Sequence, residues 1–322
     1  MQIGVDLGGT KIEVAVLDAS GDVWLRERTP TPQRDYEGTI RAVRDLALGL
    51  EAQSGQRCSI GIGIPGALSP ASGLIKNANS TCLIGHPLDR DLERVLERPI
   101  RLANDANCFA LSEAVDGAAA GAEVVFGVIL GTGVGGGLVV GLRALTGPQA
   151  IAGEWGHNPL PWPRDEERPG PDCYCGKRGC IETFLSGPGL SRDHGRATGT
   201  ELPVPEILAR AEAGDAPARA SLERYADRLA RGLATVINVV DPDAVVLGGG
   251  VSNLAFLYDR VPELLPRYVF SDVCSTPVVR ARHGDSSGVR GAAWLWRPEE
   301  LSAALGPETA DGLARGPASE AS

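Results

Sequence analysis

Three short stretches of this 322-residue sequence hold residue types and spacings that could do chemistry. Cys173, Cys175 and Cys180 lie close together, with His157 upstream. Three thiolates and one imidazole form a closed tetrahedral set suited to structural Zn²⁺, with no position left open for catalysis. Cys-x-Cys is tighter than the usual knuckle spacing, although Gly176 and Gly179 give the loop freedom to wrap an ion. A disulfide or free thiols would use the same residues. The second kind of stretch is a glycine turn, and there are two: Gly8-Gly9-Thr10-Lys11, preceded by Asp6, and Gly131-Thr132-Gly133 running on through Gly136. Such turns let successive amides approach a polyphosphate as an anion-binding nest. Asp6 could hold Mg²⁺ beside those phosphates, while Thr10 and Lys11 add a hydroxyl and a cation. Neither turn is a Walker A, because the Gly-Lys-Ser/Thr ending is missing. The third stretch is Asn104-Asp105, a carboxylate between a strand and a helix. It is short and positioned as a general base should be, but an aspartate there would equally cap the helix. One more cluster, Gly248-Gly249-Gly250, follows a buried strand. A nucleotide base and ribose could lie against it, or it could be a plain strand-to-helix crossover.

The elements around these residues alternate between strand and helix, which points to an α/β protein. Gln2–Asp6 and Ile12–Asp18 read as a hairpin around the first turn, and 35–53 carries a helical stripe at Ile40, Val43, Leu46, Ala47 and Leu50. Ser59–Ile64 is a strand ending at Pro65-Gly66. Leu88–Leu96 is a helix, Ile100–Ala103 a strand and Ala106–Val115 a helix. The pattern then restarts, with strands Val124–Leu130 and Gly137–Val140 flanking the second turn. A long helix over Ala216–Val240 and a buried strand over Ala244–Leu247 follow. Ser286 or Ser287 can cap a last helix running through Trp296. Two halves that each open on a hairpin around a glycine turn fit a duplicated domain. Pro298–Ser322 lacks periodicity and is expected to be a largely disordered tail.

Composition narrows the function classes. The net charge of −10 leaves no basic face for nucleic acid or an anionic membrane. No apolar run reaches membrane-spanning length and the first strand starts without a signal core, so a cytoplasmic protein is expected. Of the seven cysteines, Cys58, Cys82, Cys108 and Cys274 are scattered among apolar neighbours and read as small buried hydrophobes.

The segments Gly4–Lys11, Gly131–Gly137, Ala152-Gly-Glu-Trp-Gly-His157, Cys173-Tyr-Cys-Gly-Lys-Arg-Gly-Cys180 and Gly288–Ala293 together resemble the bacterial ROK family (repressors, open reading frames, kinases) over nearly the whole chain. Within it, 76–81, 103–108 and 153–161 are most similar to the fructokinase (manno(fructo)kinase) branch, whereas Gly131–Gly137 and Asn104–Ala114 are as similar to N-acetylglucosamine kinases. Cys82 stands where the fructokinase-like pattern more often has Trp. The resemblance implies a two-domain actin-like ATPase fold, a duplicated ribonuclease H-like architecture with ATP and sugar between the halves. The first domain would be 1–108 with helix 287–297 packing back onto it. The second would be 109–286, including the zinc loop 157–180. ATP with Mg²⁺ would phosphorylate a hexose, fructose foremost and mannose, glucose or N-acetylglucosamine otherwise, with Asp105 as general base. The resemblance nominates Asn79, Asn104, Glu154, His157 and Glu182 as sugar contacts, with Pro65 and Gly66 as a backbone wall. It assigns zinc to His157, Cys173, Cys175 and Cys180, and implies a homodimer. A sugar-sensing repressor of the same family would need a helix-turn-helix domain ahead of the first hairpin, so an enzyme is expected. An actin-like scaffold that hydrolyses ATP would not need the Glu154, His157 and Glu182 set.

Overall fold

A computed structural model of the chain describes residues 1–78 and 80–305. Two five-stranded sheets dominate it and share one topology. In the first, β1 (Gln2–Leu7), β2 (Lys11–Leu17) and β3 (Val23–Pro30) form an antiparallel meander. β4 (Ser59–Ile64) joins in parallel. After a small hairpin of β5 (Ala67–Leu68) and β6 (Ile75–Lys76), β7 (Ile100–Asn104) closes the order β3-β2-β1-β4-β7. The second sheet repeats this with β8 (Val124–Leu130), β9 (Val134–Val140), β10 (Arg143–Ala144), β11 (Ala244–Gly248) and β12 (Val278–Arg280), in the order β10-β9-β8-β11-β12. The duplication expected from the two glycine turns is thus visible in the strand order.

β3 has no counterpart in the sequence reading above. Its charged run Arg26-Glu27-Arg28 hides a strand that pairs on one side only, with β2. β9 begins at Val134, so Gly135, Gly136 and Gly137 belong to a strand, and the second turn shrinks to Gly131–Gly133.

The helices follow their caps. α1 (Tyr36–Ser54) starts where the Asp35 carboxylate accepts the Gly38 N–H at 2.8 Å and stops at Gly55 in the left-handed region. α2 (Leu88–Leu96) and α3 (Asp105–Val115) complete the first half. The second half inserts α4 (Ile181–Leu185), α5 (Gly187–Thr198), α6 (Val204–Glu212) and the 25-residue α7 (Ala216–Val240) before β11, then α8 (Leu257–Leu264). α9 (Ser287–Ala293) and α10 (Leu301–Leu305) end the described chain. α9 stops at Ala293, short of Trp296, and Ser286 makes no side-chain cap bond there.

The described chain falls into two compact units. The first comprises 1–112, 146–151 and 286 onward, and the second 113–145 and 152–285, so the division lies inside α3. In the first unit, Ile60, Ile62 and Ile64 enter a core with Ile3, Val5, Val14 and Leu50. Glycine alternates with them on β4 because α9 lies against that face: a Cβ on Gly61 would collide with the Ala292 carbonyl. Gln2 donates to the Ala293 carbonyl at 3.1 Å and the Trp296 indole to that of Ile60 at 2.8 Å. Arg101 pairs with Glu300 at 2.7 Å and lies over the Trp296 ring. Those ties order 298–305 as helical turns, which corrects the expected disorder there; 306–322 lie outside the described residues. In the second unit, α7 buries Leu222, Tyr225, Leu229, Leu233 and Ile237 in a core with Phe126, Trp155 and Val245. No helix among the described residues is long and apolar enough to cross a membrane.

Candidate active site and metal centre

In the first unit the glycine turn is tied down through its carbonyls. Gly8 O accepts from the Thr31 hydroxyl at 2.7 Å, Gly9 O from Gln33 Nε2 at 2.8 Å and Thr10 O from the Thr31 N–H at 3.0 Å. Asp6, at the end of β1, is raised to about 6 by burial and by the carboxylates of Asp105 and Glu13, against a smaller downward pull from Lys11. Repelling carboxylates are what a divalent cation would relieve, so the residues present fit Mg²⁺ at Asp6. The Lys11 ammonium reaches the Glu13 carboxylate at 3.4 Å. Glu13 is fully buried opposite Asp6 in the ladder and is paired by Arg26 and by Arg28 at 2.7 Å.

Asn104 and Asp105 divide the work the sequence left undecided. The Asn104 amide oxygen accepts the Ala106 N–H at 2.9 Å while its NH₂ donates to Gly66 O at 3.1 Å. Asn104 therefore both caps α3 and fixes the Pro65-Gly66 segment. Asp105 also receives the Ala106 N–H, at 2.8 Å, yet it is exposed. Asn104 also accepts that N–H, so the cap does not rest on Asp105 alone. Asn79 lies outside the described residues. Among the scattered cysteines, Cys58 and Cys108 are buried, and burial pushes both thiols up. Cys82 and Cys274 pack against the two cores, so Cys82 needs no further role.

In the second unit the Gly131–Gly133 turn closes through Gly131 N–H to Gly133 O at 3.0 Å, and Gly131 O accepts the Gly187 N–H at 2.8 Å. Thr132 is exposed at its tip. Gly249 has φ +83°, where a side chain is strained, and a Cβ there would collide with the Leu130 carbonyl. Gly248 is buried in β11, and Gly250 starts a short 3₁₀ turn.

His157, Cys173, Cys175 and Cys180 place one ligand atom each within 4.8 Å of all the others. Tetrahedral Zn–S bonds of about 2.3 Å put two sulfurs roughly 3.8 Å apart. The Cys175 and Cys180 sulfurs stand 3.6 Å apart, and Cys173 Sγ lies 3.6 Å from His157 Nδ1. A disulfide needs about 2.0 Å, so the donor set fits zinc. Burial raises Cys173 and lifts Cys180 to about 12, whereas the Lys177 N–H lowers the exposed Cys175. His157 Nε2 meets the Tyr174 hydroxyl at 2.9 Å, an outer partner that fixes the ring. Sequence reasoning passed over Tyr174, although its place between two ligand cysteines was the available signal. Nδ1 faces the thiols, whereas the partner of Nε2 is an exposed tyrosine hydroxyl whose place a sugar hydroxyl could take. The cluster would shape the fold locally and offers no open coordination site for chemistry.

Glu154 is exposed at the start of the 3₁₀ turn Trp155–His157, not on an α-helix. Glu182, on α4, stands between two features: Oε2 accepts the Val134 N–H at 3.0 Å beside the glycine turn, and Oε1 faces Cys173 Sγ at 3.9 Å. The second unit thus brings together the glycine turn, Glu182 and the cysteine cluster.

A family model described as the ROK family matches residues 2–299. The chain is 42% identical over 299 residues to the N-acetyl-D-glucosamine kinase of Escherichia coli O157:H7, covering 92% of this chain and 99% of that protein. The ROK hexokinase of Thermus thermophilus superposes with a TM-score of 0.81 at 35% identity, covering 91% and 97% of the two chains. The Streptomyces griseus ROK glucokinase, solved with glucose and AMPPNP, gives 0.72 at 30%, with coverage of 91% and 97%. The fold is accordingly the α/β actin-like ATPase fold of sugar kinases. The curated relative stands with the N-acetylglucosamine kinase side of the resemblance, so fructose loses its place as the first expectation.

Proposed function

The chain belongs to the ROK family and is a sugar kinase, and we propose that its substrate is N-acetyl-D-glucosamine, phosphorylated by ATP at the terminal hydroxyl. The observation that carries the choice of sugar is the 42% identity to an N-acetyl-D-glucosamine kinase over nearly the full length of both chains. In this reading Asp105 accepts the hydroxyl proton as the oxygen attacks the γ-phosphorus. Asn104 holds the Pro65-Gly66 wall and caps α3, which keeps the base in register. Lys11 and the amides of the two glycine turns receive the phosphates. Mg²⁺, when bound at Asp6, supplies charge neutralisation on the phosphate oxygens. Glu154, His157 and Glu182 are retained as sugar contacts, Asn79 is retained as a further one, and zinc on His157, Cys173, Cys175 and Cys180 is structural.

A second reading, glucose as the preferred sugar, is favoured by the hexokinase and glucokinase among the structural relatives. A coupled ADP-release assay over N-acetylglucosamine, N-acetylmannosamine, glucose, mannose and fructose separates the two. The N-acetylated sugar is expected to lead in kcat/KM by roughly tenfold or more, as for any site that hydrogen-bonds a group its competitor lacks. A glucose or fructose kcat/KM equal to or above it overturns the choice of sugar but leaves the kinase intact.

A further inference from the structure

The 158–172 loop, between the first and second ligands of the cysteine cluster, contains five prolines and a single short 3₁₀ turn, Asp165–Glu167. A loop of that length with so little regular structure has to be held by something. Its ends are held next to the cluster: Leu160 N–H donates to Gly179 O, Ile181 N–H to Asn158 O and Gly179 N–H to Pro171 O, each at 2.9 Å. Its middle is held elsewhere. Glu167 is buried, and its Oε1 receives Arg228 Nε and Arg231 Nη2, both at 2.7 Å. Oε2 receives Arg231 Nη1 at 2.9 Å and the Arg164 N–H at 2.8 Å.

Arg231 also donates to the carbonyls of Pro161 and Trp162, at 3.1 and 2.8 Å, so one guanidinium of α7 grips three points of the loop. Both arginines are buried, and acids on α5 and α7 balance them: Asp193 faces Arg228 at 2.8 Å and Asp227 faces Arg231 at 3.1 Å. Asp227 also receives Arg164 at 3.0 Å and the Tyr268 hydroxyl at 2.6 Å. Charges removed from water this thoroughly must stay paired or their desolvation goes unrepaid, so the loop cannot leave α7 cheaply.

We propose that Glu167 is a positioning residue for the metal centre: it docks the 158–172 loop onto α7, and zinc is loaded onto a loop that is already folded. The proposal rests on the reading of His157, Cys173, Cys175 and Cys180 as zinc ligands. It reverses the simpler expectation for a proline-rich loop beside a metal, in which the ion orders the loop.

Hydrogen–deuterium exchange on the full-length protein, before and after chelation, tests it alongside zinc affinity measured by competition with a chromophoric chelator. In the wild-type protein stripped of metal, 158–170 is expected to keep its slow exchange while 171–180 becomes fast. Glu167→Gln should speed exchange in 158–170 and weaken zinc binding roughly tenfold, because only the fraction of molecules with a docked loop is then competent to bind, with Glu167→Asp recovering part of both. If chelation alone makes 158–170 of the wild type exchange as fast as 171–180, the ion orders the loop and the proposal fails. It also fails if Glu167→Gln binds zinc as tightly as the wild type. The wild-type comparison needs no variant, so it decides the matter even if Glu167→Gln does not fold. A wild-type protein that binds no zinc at all overturns the metal reading and with it the proposal, whereas exchange in 158–170 still reports separately whether Glu167 docks the loop.

Discussion

The two sheets have the same strand order, yet they divide the chemistry unequally. In the first unit Asp6 is the next-to-last residue of β1, and β7 ends on Asn104 with Asp105 opening α3, so two carboxylates stand at strand ends on either side of β4. In the second, the counterparts β8 and β12 end on Leu130 and Arg280, and nothing acidic occupies either end. What that half adds lies between its strands: the cysteine cluster, Glu182 and the charged network under the 158–172 loop. Duplication supplied two glycine turns, but in the proposed function one copy carries the carboxylates assigned to the reaction while the other carries the scaffolding. Lesions at the first half's carboxylates should therefore appear in turnover, and lesions in the turns or in the second half in stability and binding.

The sharpest test of that contrast is Asp105→Asn. It should lower kcat by about 10²–10⁴ while sugar binding, read by calorimetry, stays near normal. Turnover close to wild type would break the comparison at its first term.

Next in size is an acid titration of the second half. Burial would push the Glu167 carboxyl up, but the hydrogen bonds from Arg231 and Arg228 outweigh it and bring the group down from 4.5 to about 2. A depressed carboxylate contributes stability that is fully present above its unfolded value and lost as pH falls through the folded one. The difference in denaturation free energy between wild type and Glu167→Gln should therefore shrink by about 3 kcal/mol between pH 5 and pH 2. A pH-independent difference would remove the ion pairs from the explanation.

Gly249→Ala forces a side chain into the left-handed region against Leu130 O. It should lower stability by on the order of 1–3 kcal/mol, measured by denaturant midpoint, and raise the KM for ATP without changing the sugar's. The smallest effect is expected at the first turn. Gln33→Ala removes the bond to Gly9 O and should cost about 1 kcal/mol, visible as a few-fold rise in the KM for ATP. An equal rise in the KM for sugar would mean that the first turn is not a nucleotide element.

Much of this was legible in the sequence because it is local. The two turns, the start of α7 capped by Asp215 and the close grouping of His157 with the three cysteines are set by residue types at short spacings, where glycine, a cap or a cysteine acts on its own backbone neighbourhood. β3 escaped because its alternation is masked by charge, and the order of 298–305 because it rests on Arg101 and Trp296 rather than on periodicity. By itself the sequence determined which groups could do chemistry and that the chain is built twice. Only the tertiary structure decided that Asn104 ties α3 to Gly66, that Glu182 links the second turn to the cysteines, and that Glu167 grips arginines 61 and 64 residues away. Those pairings are made where helices and loops distant in the chain pack against one another. The cost of burying an unpaired charge, and not any local preference, selects the partner.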